Sequence, residues 1–272
     1  MYYIYVSYRH YLSLYFCYLY VIIRAEDNLL IRIKSKYKQL KYDSIMPNLI
    51  SKEKVHNSWK DFYKKTENLL EKIEGEIGNN YTPKQGVLHF LETDLQNIKV
   101  IILGQDPYLQ EGVATGRAFE VKGLSNWFSK KINTSLRNIF KAIYYAYKKN
   151  KFSISVIEKD ESFIILPPDK WFKDMEKQGV LFLNTAFTCE IEKPNSHKEI
   201  WQNYTKELII YIKEKNAKCN WSIWGKNAKD FAEEHEIETK FKSCHPRLNA
   251  FIDDTNNGFE ETKGLINWLG IA

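Results

Sequence analysis

The chain has 272 residues, 44% hydrophobic and 15% aromatic, enough to bury a sizeable core and too apolar for a disordered polymer. Its four cysteines, Cys17, Cys189, Cys219 and Cys244, are scattered, with no CxxC pair and no Cys/His spacing suited to zinc or an iron–sulfur cluster, so reduced thiols in a cytoplasmic protein are expected. The formal charge of +6 invites an anionic partner, but residues 1–45 carry a net +4 and leave only +2 for the other 227, so bulk charge alone does not argue for nucleic acid.

Residues 1–45 differ from all that follows: a Tyr-rich run from Met1 to Ile23 leads into the basic stretch Arg32 to Lys41. A membrane anchor is one reading, but Arg9 and His10 interrupt the run and leave the uncharged segment Tyr11 to Ile23 short of the about 20 residues a spanning helix needs. A signal peptide fits poorly, because no short basic start and no small-residue cleavage site flank the apolar segment. The expected organisation is an N-terminal extension over 1–45 and one functional domain over 46–272, opening at Met46-Pro47.

Within that domain, Trp59, Phe62, Tyr63, Leu69, Leu70 and Ile73 recur near helical spacing and predict an amphipathic helix over Ser58 to Ile77. The spacing of Leu136, Ile139, Phe140, Ile143, Tyr144 and Tyr147 predicts a second. Short apolar runs at Ile98 to Leu103, Val180 to Leu183, Asn220 to Trp224 and, more weakly, Phe241 to Cys244 read as strands. Strands alternating with helical stretches imply an α/β fold: a three-layer sandwich with a central, mainly parallel four-stranded sheet flanked by helices.

Each strand exit is followed by polar or small residues that can line a site. Gly104-Gln105-Asp106-Pro107-Tyr108 follows the first run, Asn184 the second, Gly225-Lys226 the third and His245-Pro246-Arg247-Leu248 the fourth. In open α/β sheets the carboxyl edge is where ligands bind, so Asp106, Asn184 and His245 are expected to meet in one pocket. Read singly, each has a plainer meaning. Asp-Pro is common turn chemistry, an Asn at a strand end is often a cap, a lone His is usually structural, and Phe119 serves equally well as a core aromatic.

Taken in order, Gly104 to Tyr108, Gly116-Arg117-Ala118-Phe119-Glu120-Val121, Gly179 to Thr185, Asn195-Ser196-His197-Lys198, Trp224-Gly225 and His245-Pro246 resemble the motifs of uracil-DNA glycosylases of the family 1 type, over roughly Leu91 to Leu248. The resemblance implies a DNA repair hydrolase that flips uracil out of single- or double-stranded DNA and cuts its N-glycosidic bond without a lyase step or a cofactor. It also implies a monomer in the cytoplasm, nucleoid-associated in a bacterium.

The resemblance implies roles residue by residue. Asp106 would orient water and stabilise a cationic sugar, and His245 would donate a hydrogen bond to the developing charge on uracil O2. Phe119 offers a flat face to the extruded base, and Asn184 presents a donor and an acceptor to the uracil edge, a pairing that mismatches the N4 amine of cytosine. Tyr108 would exclude the thymine methyl, and Gln105 belongs to the same base pocket. Ser135, Lys226, Arg247 and Leu248 are the expected DNA contacts, Leu248 as a wedge in the vacated stack. No metal is implied, and His197 reads as a supporting or structural residue.

Departures are visible too. Leu109 stands where the family usually has His after the Tyr, the closing loop His245-Pro246-Arg247-Leu248 is one residue shorter than the common His-Pro-Ser-Pro-Leu, and the cations Lys226 and Arg247 occupy places of neutral backbone-contacting serines. These leave two other readings open. One is a glycosylase of different base preference, which Tyr108 and Asn184 argue against. The other is a catalytically impaired glycosylase fold used for DNA binding or protein docking.

Overall fold

The chain alternates strand and helix because its apolar residues switch between unbroken short runs and helical spacing. A computed structural model describes Leu49 and residues 54–270. The expected extension over 1–45 and the domain start at Met46 lie outside the described residues. The first helix, α1 (Lys60–Glu76), follows a 3-10 turn at Asn57–Trp59 and buries Phe62, Thr66, Leu70 and Ile73, one per turn on one face. Its predicted start at Ser58 falls in that turn, where His56 Nδ1 accepts the Ser58 N–H.

A two-residue strand β1 (Tyr81–Thr82) precedes the first sheet strand, β2 (Val100–Gly104). β2 starts two residues later than the apolar run because the Ile98 N–H closes a 3-10 turn onto Leu95. Next come α2 (Thr134–Lys148), the short α3 (Ile154–Ile157), α4 (Pro168–Gln178) and β3 (Val180–Asn184). After β4 (Cys189–Glu190), the chain completes α5 (Lys198–Lys215), β5 (Asn220–Trp224), α6 (Lys226–Glu234) and β6 (Phe241–Ser243). The small antiparallel pair β1–β4 was not foreseen, since two-residue strands carry no readable alternation.

The sheet order is β3-β2-β5-β6, with every neighbouring pair parallel. Helices cover both faces, which is why β2 and β3 read as continuous apolar runs. Ile101, Leu103, Leu181, Leu183, Trp221 and Ile223 join Trp59, Phe62, Tyr204 and Leu208 in one core. The alternate residues Val100, Ile102, Val180, Phe182 and Trp224 face Phe140, Ile143, Trp171 and Trp268 in the other. This is the three-layer α/β sandwich expected from the sequence.

Chain order reverses across β2, whose neighbours are β3 on one side and β5 on the other. Ligand crevices in open parallel sheets form at such switch points, outside the carboxyl ends of the strands. Gly104 is in register with Asn184, Leu103 with Ile223 and Trp224 with Ser243, so the four exits share one edge.

Candidate active site

At that edge lies a cavity of ≈ 300 Å³. Gln105, Asp106, Tyr108, Phe119, Ser135, Asn184, Lys226, His245 and Arg247 all line it, although they are spread over more than half of the chain. Leu248 does not: it sits beyond Arg247 on the surface with half of its area exposed.

Sheet pairing carries on past the strand ends and holds the first loop. Thr185 N–H donates to the Gly104 carbonyl at 3.1 Å, and both Ala186 N–H and the Thr185 hydroxyl donate to the Gln105 carbonyl, at 3.0 and 3.1 Å. A Cβ on Gly104 would lie 2.4 Å from Asn184 Oδ1 and 2.7 Å from the Ala118 methyl, so only glycine lets the Asn184 amide lie flat against β2. Asn184 is 3% exposed, and its Oδ1 has no hydrogen-bond partner among the described residues. A buried acceptor left unpaired costs about 1–3 kcal/mol, so this amide is set to receive a donor.

Asp106 accepts the Asn195 N–H at Oδ2, 2.7 Å. Burial raises its pKa above the ordinary carboxylate value, and that hydrogen bond and the Lys198 cation only partly counteract the rise. The Gln105 side chain donates to Asn195 Oδ1 and accepts from Asn227 Nδ2 at 2.7 Å, tying the β2 exit to the 195 loop and to the start of α6. Beside it, Leu109 makes only a backbone bond, its carbonyl accepting Glu192 N–H at 3.1 Å.

Tyr108 is fixed at its tip. Its hydroxyl donates to the Phe119 carbonyl at 3.1 Å and accepts from Asn133 Nδ2 at 2.8 Å, while Asn133 Oδ1 caps α2 at Leu136 N–H. Burial pushes the phenol up to about 12, so it stays protonated at neutral pH. Phe119 has φ 67°, a left-handed conformation rare for a bulky residue, and its ring lies 5.6 Å from that of Trp224 at 54°. Strained backbone of this kind gathers at ligand-facing positions.

His245 accepts Arg247 N–H at Nδ1, 3.1 Å, which leaves the ring proton on Nε2. Burial and the Arg247 cation lower its pKa, favouring the neutral ring. Gly225, with φ +92°, makes room for it, since a Cβ there would sit 2.9 Å from the His245 Cβ. Ser135 occupies the first turn of α2 and Lys226 begins α6, so two helix N-termini open on the cavity, an arrangement that favours anions.

His197 keeps the structural place expected of it: 6% exposed, its Nδ1 lies 2.9 Å from Thr188 Oγ1, which also accepts Trp201 Nε1–H. Several supporting residues escaped the sequence reading, Asn133, Asn227 and Asn138, and Asn195 entered it only as part of a motif, with no role. Asn138, 3% exposed, donates from Nδ2 to the Pro246 carbonyl at 2.8 Å and anchors the closing loop. A polar residue amid the apolar face of α2 was the available signal for it. Among the described residues, no three His, Cys, Asp or Glu side chains converge as a metal site would need, and no helix is long and apolar enough to cross a membrane.

No family model matches the chain. A curated uracil-DNA glycosylase of Fusobacterium nucleatum subsp. nucleatum is 32% identical over 207 residues, covering 71% of this chain and 82% of that protein. One from Francisella tularensis subsp. novicida is 32% identical over 193 residues, covering 66% and 79%. Among solved structures, the UNG of Nitratifractor salsuginis superposes with a TM-score of 0.65 at 22% identity, over 79% of this chain and 92% of that one. The mimivirus uracil-DNA glycosylase gives 0.57 at 21%, over 75% and 73%. At such identities these two likenesses speak to the fold.

Proposed function

Because the chain belongs to the uracil-DNA glycosylase family, we propose that the cavity at the strand exits takes a uracil flipped out of DNA and hydrolyses its N-glycosidic bond, leaving free uracil and an abasic site. The observation that carries this reading is the convergence of Asp106, Asn184 and His245 on one cavity. Each supplies a different chemical need of the same reaction.

The glycosidic bond breaks with its electron pair leaving on the base, so the sugar gains oxocarbenium character while uracil becomes an anion. The Asp106 carboxylate stabilises the sugar cation, directs a water to C1′ and takes up the proton that water loses. The His245 Nε2–H meets the charge growing on uracil O2, and a neutral donor suits a transient anion that must later leave. Asn184 supplies the acceptor that uracil N3–H lacks and a donor for O4. Phe119 stacks on the base, the Tyr108 ring fills the space a C5 methyl would need, and Gln105 ties the pocket's rim together.

Attack by water makes the enzyme monofunctional, with no amine nucleophile and no strand cleavage of its own. Ser135, Lys226 and Arg247 take the DNA backbone, and the exposed Leu248 fills the gap left in the stack. The domain over 46–272 carries the reaction, with 1–45 as an extension to it, and the protein acts as a monomer in the cytoplasm.

The test is an oligonucleotide carrying one uracil, incubated with the full chain in chelator and then treated with alkali. Scission at uracil only after alkali is the expected result. Scission without alkali would overturn the monofunctional reading, scission only at another lesion would reassign the base, and binding without scission would make the protein a DNA-binding module.

A further inference from the structure

Phe119 is held left-handed at φ 67°, a backbone that crowds the Cβ of an L residue, so something beside it must keep it from relaxing. Arg117 and Glu120 flank it, and their side chains meet: Arg117 Nη1 donates to Glu120 Oε2 at 3.0 Å. The same guanidinium grips Glu176 in α4 with two parallel bonds, Nη2 to Oε2 at 2.7 Å and Nε to Oε1 at 3.2 Å. Glu176 Oε1 also lies 2.9 Å from His89 Nε2. Side-chain exposure across the cluster is low, 13% for Arg117, 9% for Glu120 and 19% for Glu176. Arg117 itself lines the cavity, yet its three nitrogens are all spent on carboxylates.

From this arrangement we infer that Arg117 is a positioning residue for base recognition: by tying both sides of Phe119 to α4 it fixes the slot that receives the base. The assignment rests on the reading of the cavity as a uracil site. A forked guanidinium suits the task, because two parallel bonds to Glu176 define an orientation that a point charge on Lys cannot. Burial alone would raise the Glu176 carboxyl, and the bonds from His89 and Arg117 outweigh it and hold it at about 2, so Glu176 meets the guanidinium as a carboxylate. The effect reaches a second wall of the pocket, since the Phe119 carbonyl accepts the Tyr108 hydroxyl.

Truncating Arg117 alone would strand two buried carboxylates and threaten the fold, so two other variants carry the test. Arg117→Lys keeps the charge and loses the fork. The triple variant Arg117→Met/Glu120→Gln/Glu176→Met removes the charges together. For each, inhibition by free uracil, kcat and KM on a uracil oligonucleotide, and affinity for uracil-free DNA are compared with the parent, alongside thermal unfolding. Both variants should weaken free-uracil inhibition about tenfold and lower kcat, with uracil-free DNA bound within about twofold of the parent. A merely structural role would move only the unfolding midpoint. Lys and triple variants that unfold cooperatively and are inhibited by uracil as the parent is would overturn the assignment to Arg117. A parent that releases no uracil would overturn the uracil reading beneath it and the assignment with it.

Discussion

His245 takes the backbone N–H of Arg247 on Nδ1 at 3.1 Å, and so keeps the proton on Nε2 of a ring that lines the cavity. The loop that carries the imidazole also chooses its tautomer. Burial first, and then the Arg247 cation, keep the ring neutral by lowering its pKa from 6.5.

For the His245 donor, replacement by Gln or Leu is expected to lower kcat by about 10²–10³-fold, read in single-turnover release of labelled uracil, with little change in DNA affinity. The parent should keep its rate as pH falls through 6.5, the ordinary imidazole value, and lose it only lower. Stability follows the same sign: the folded pKa lies below the unfolded one, so this stabilisation is present above 6.5 and is lost as pH falls from there through the folded value. A kcat that halves at an ordinary histidine pKa would remove the neutral-donor role.

Asp106 titrates the other way. Burial holds its carboxyl above 3.8, so the acid limb of kcat in His245→Gln, where Asp106 is the one carboxyl among the described residues lining the cavity, should lie above that value. Ionising this group costs the folded protein stability, a cost absent below 3.8 and fully present once pH has risen through the raised pKa. Asp106→Asn should therefore unfold at a higher temperature at pH 7 while turning over about 10²–10⁴-fold more slowly. An equal loss of DNA affinity and turnover would instead point to a binding role.

The Tyr108 ring and its hydroxyl separate cleanly. Tyr108→Phe should still reject thymine but lose about 1–3 kcal/mol of stability in urea unfolding, since Asn133 Nδ2 and the Phe119 carbonyl both lose a partner. Tyr108→Ala should admit thymine, detected as slow excision from thymine-containing oligonucleotides. Thymine release by the Phe variant as well would place discrimination elsewhere.

Lys226 and Arg247 are exposed cations at the cavity mouth. If each neutralises one phosphate, the double change to Ser should make the plot of log affinity against log salt shallower by about 1.4–1.8, the lower figure for single strands. An unchanged slope would show that neither meets a phosphate.

Leu248, half exposed and outside the cavity wall, contributes little to the core, so Leu248→Ala should leave the unfolding midpoint within about 0.5 kcal/mol of the parent. Its proposed work is to occupy a vacated stack, which single strands do not need. Excision from duplex should slow and excision from single strands should not.

Much of this molecule is legible in the residue order. Unbroken apolar runs at β2 and β3 announce a sheet covered on both faces, and Asp106, Asn184 and His245 fall at its exits because a strand's end is a local property of its sequence. The carboxyl edge then follows from parallel pairing, with Gly104 beside Asn184. What escaped depended on neighbours far away in the chain. The Asn138 bond to the Pro246 carbonyl spans 108 positions, and the Asn227 bond to Gln105 spans 122. The left-handed Phe119, the His245 tautomer and the Arg117 grip on Glu176 share this origin. Periodicity reports which face of an element is apolar. It holds nothing about which polar atoms will lie within 3 Å of one another once the layers close, and that distance is what sets a tautomer, a pKa or a ring angle.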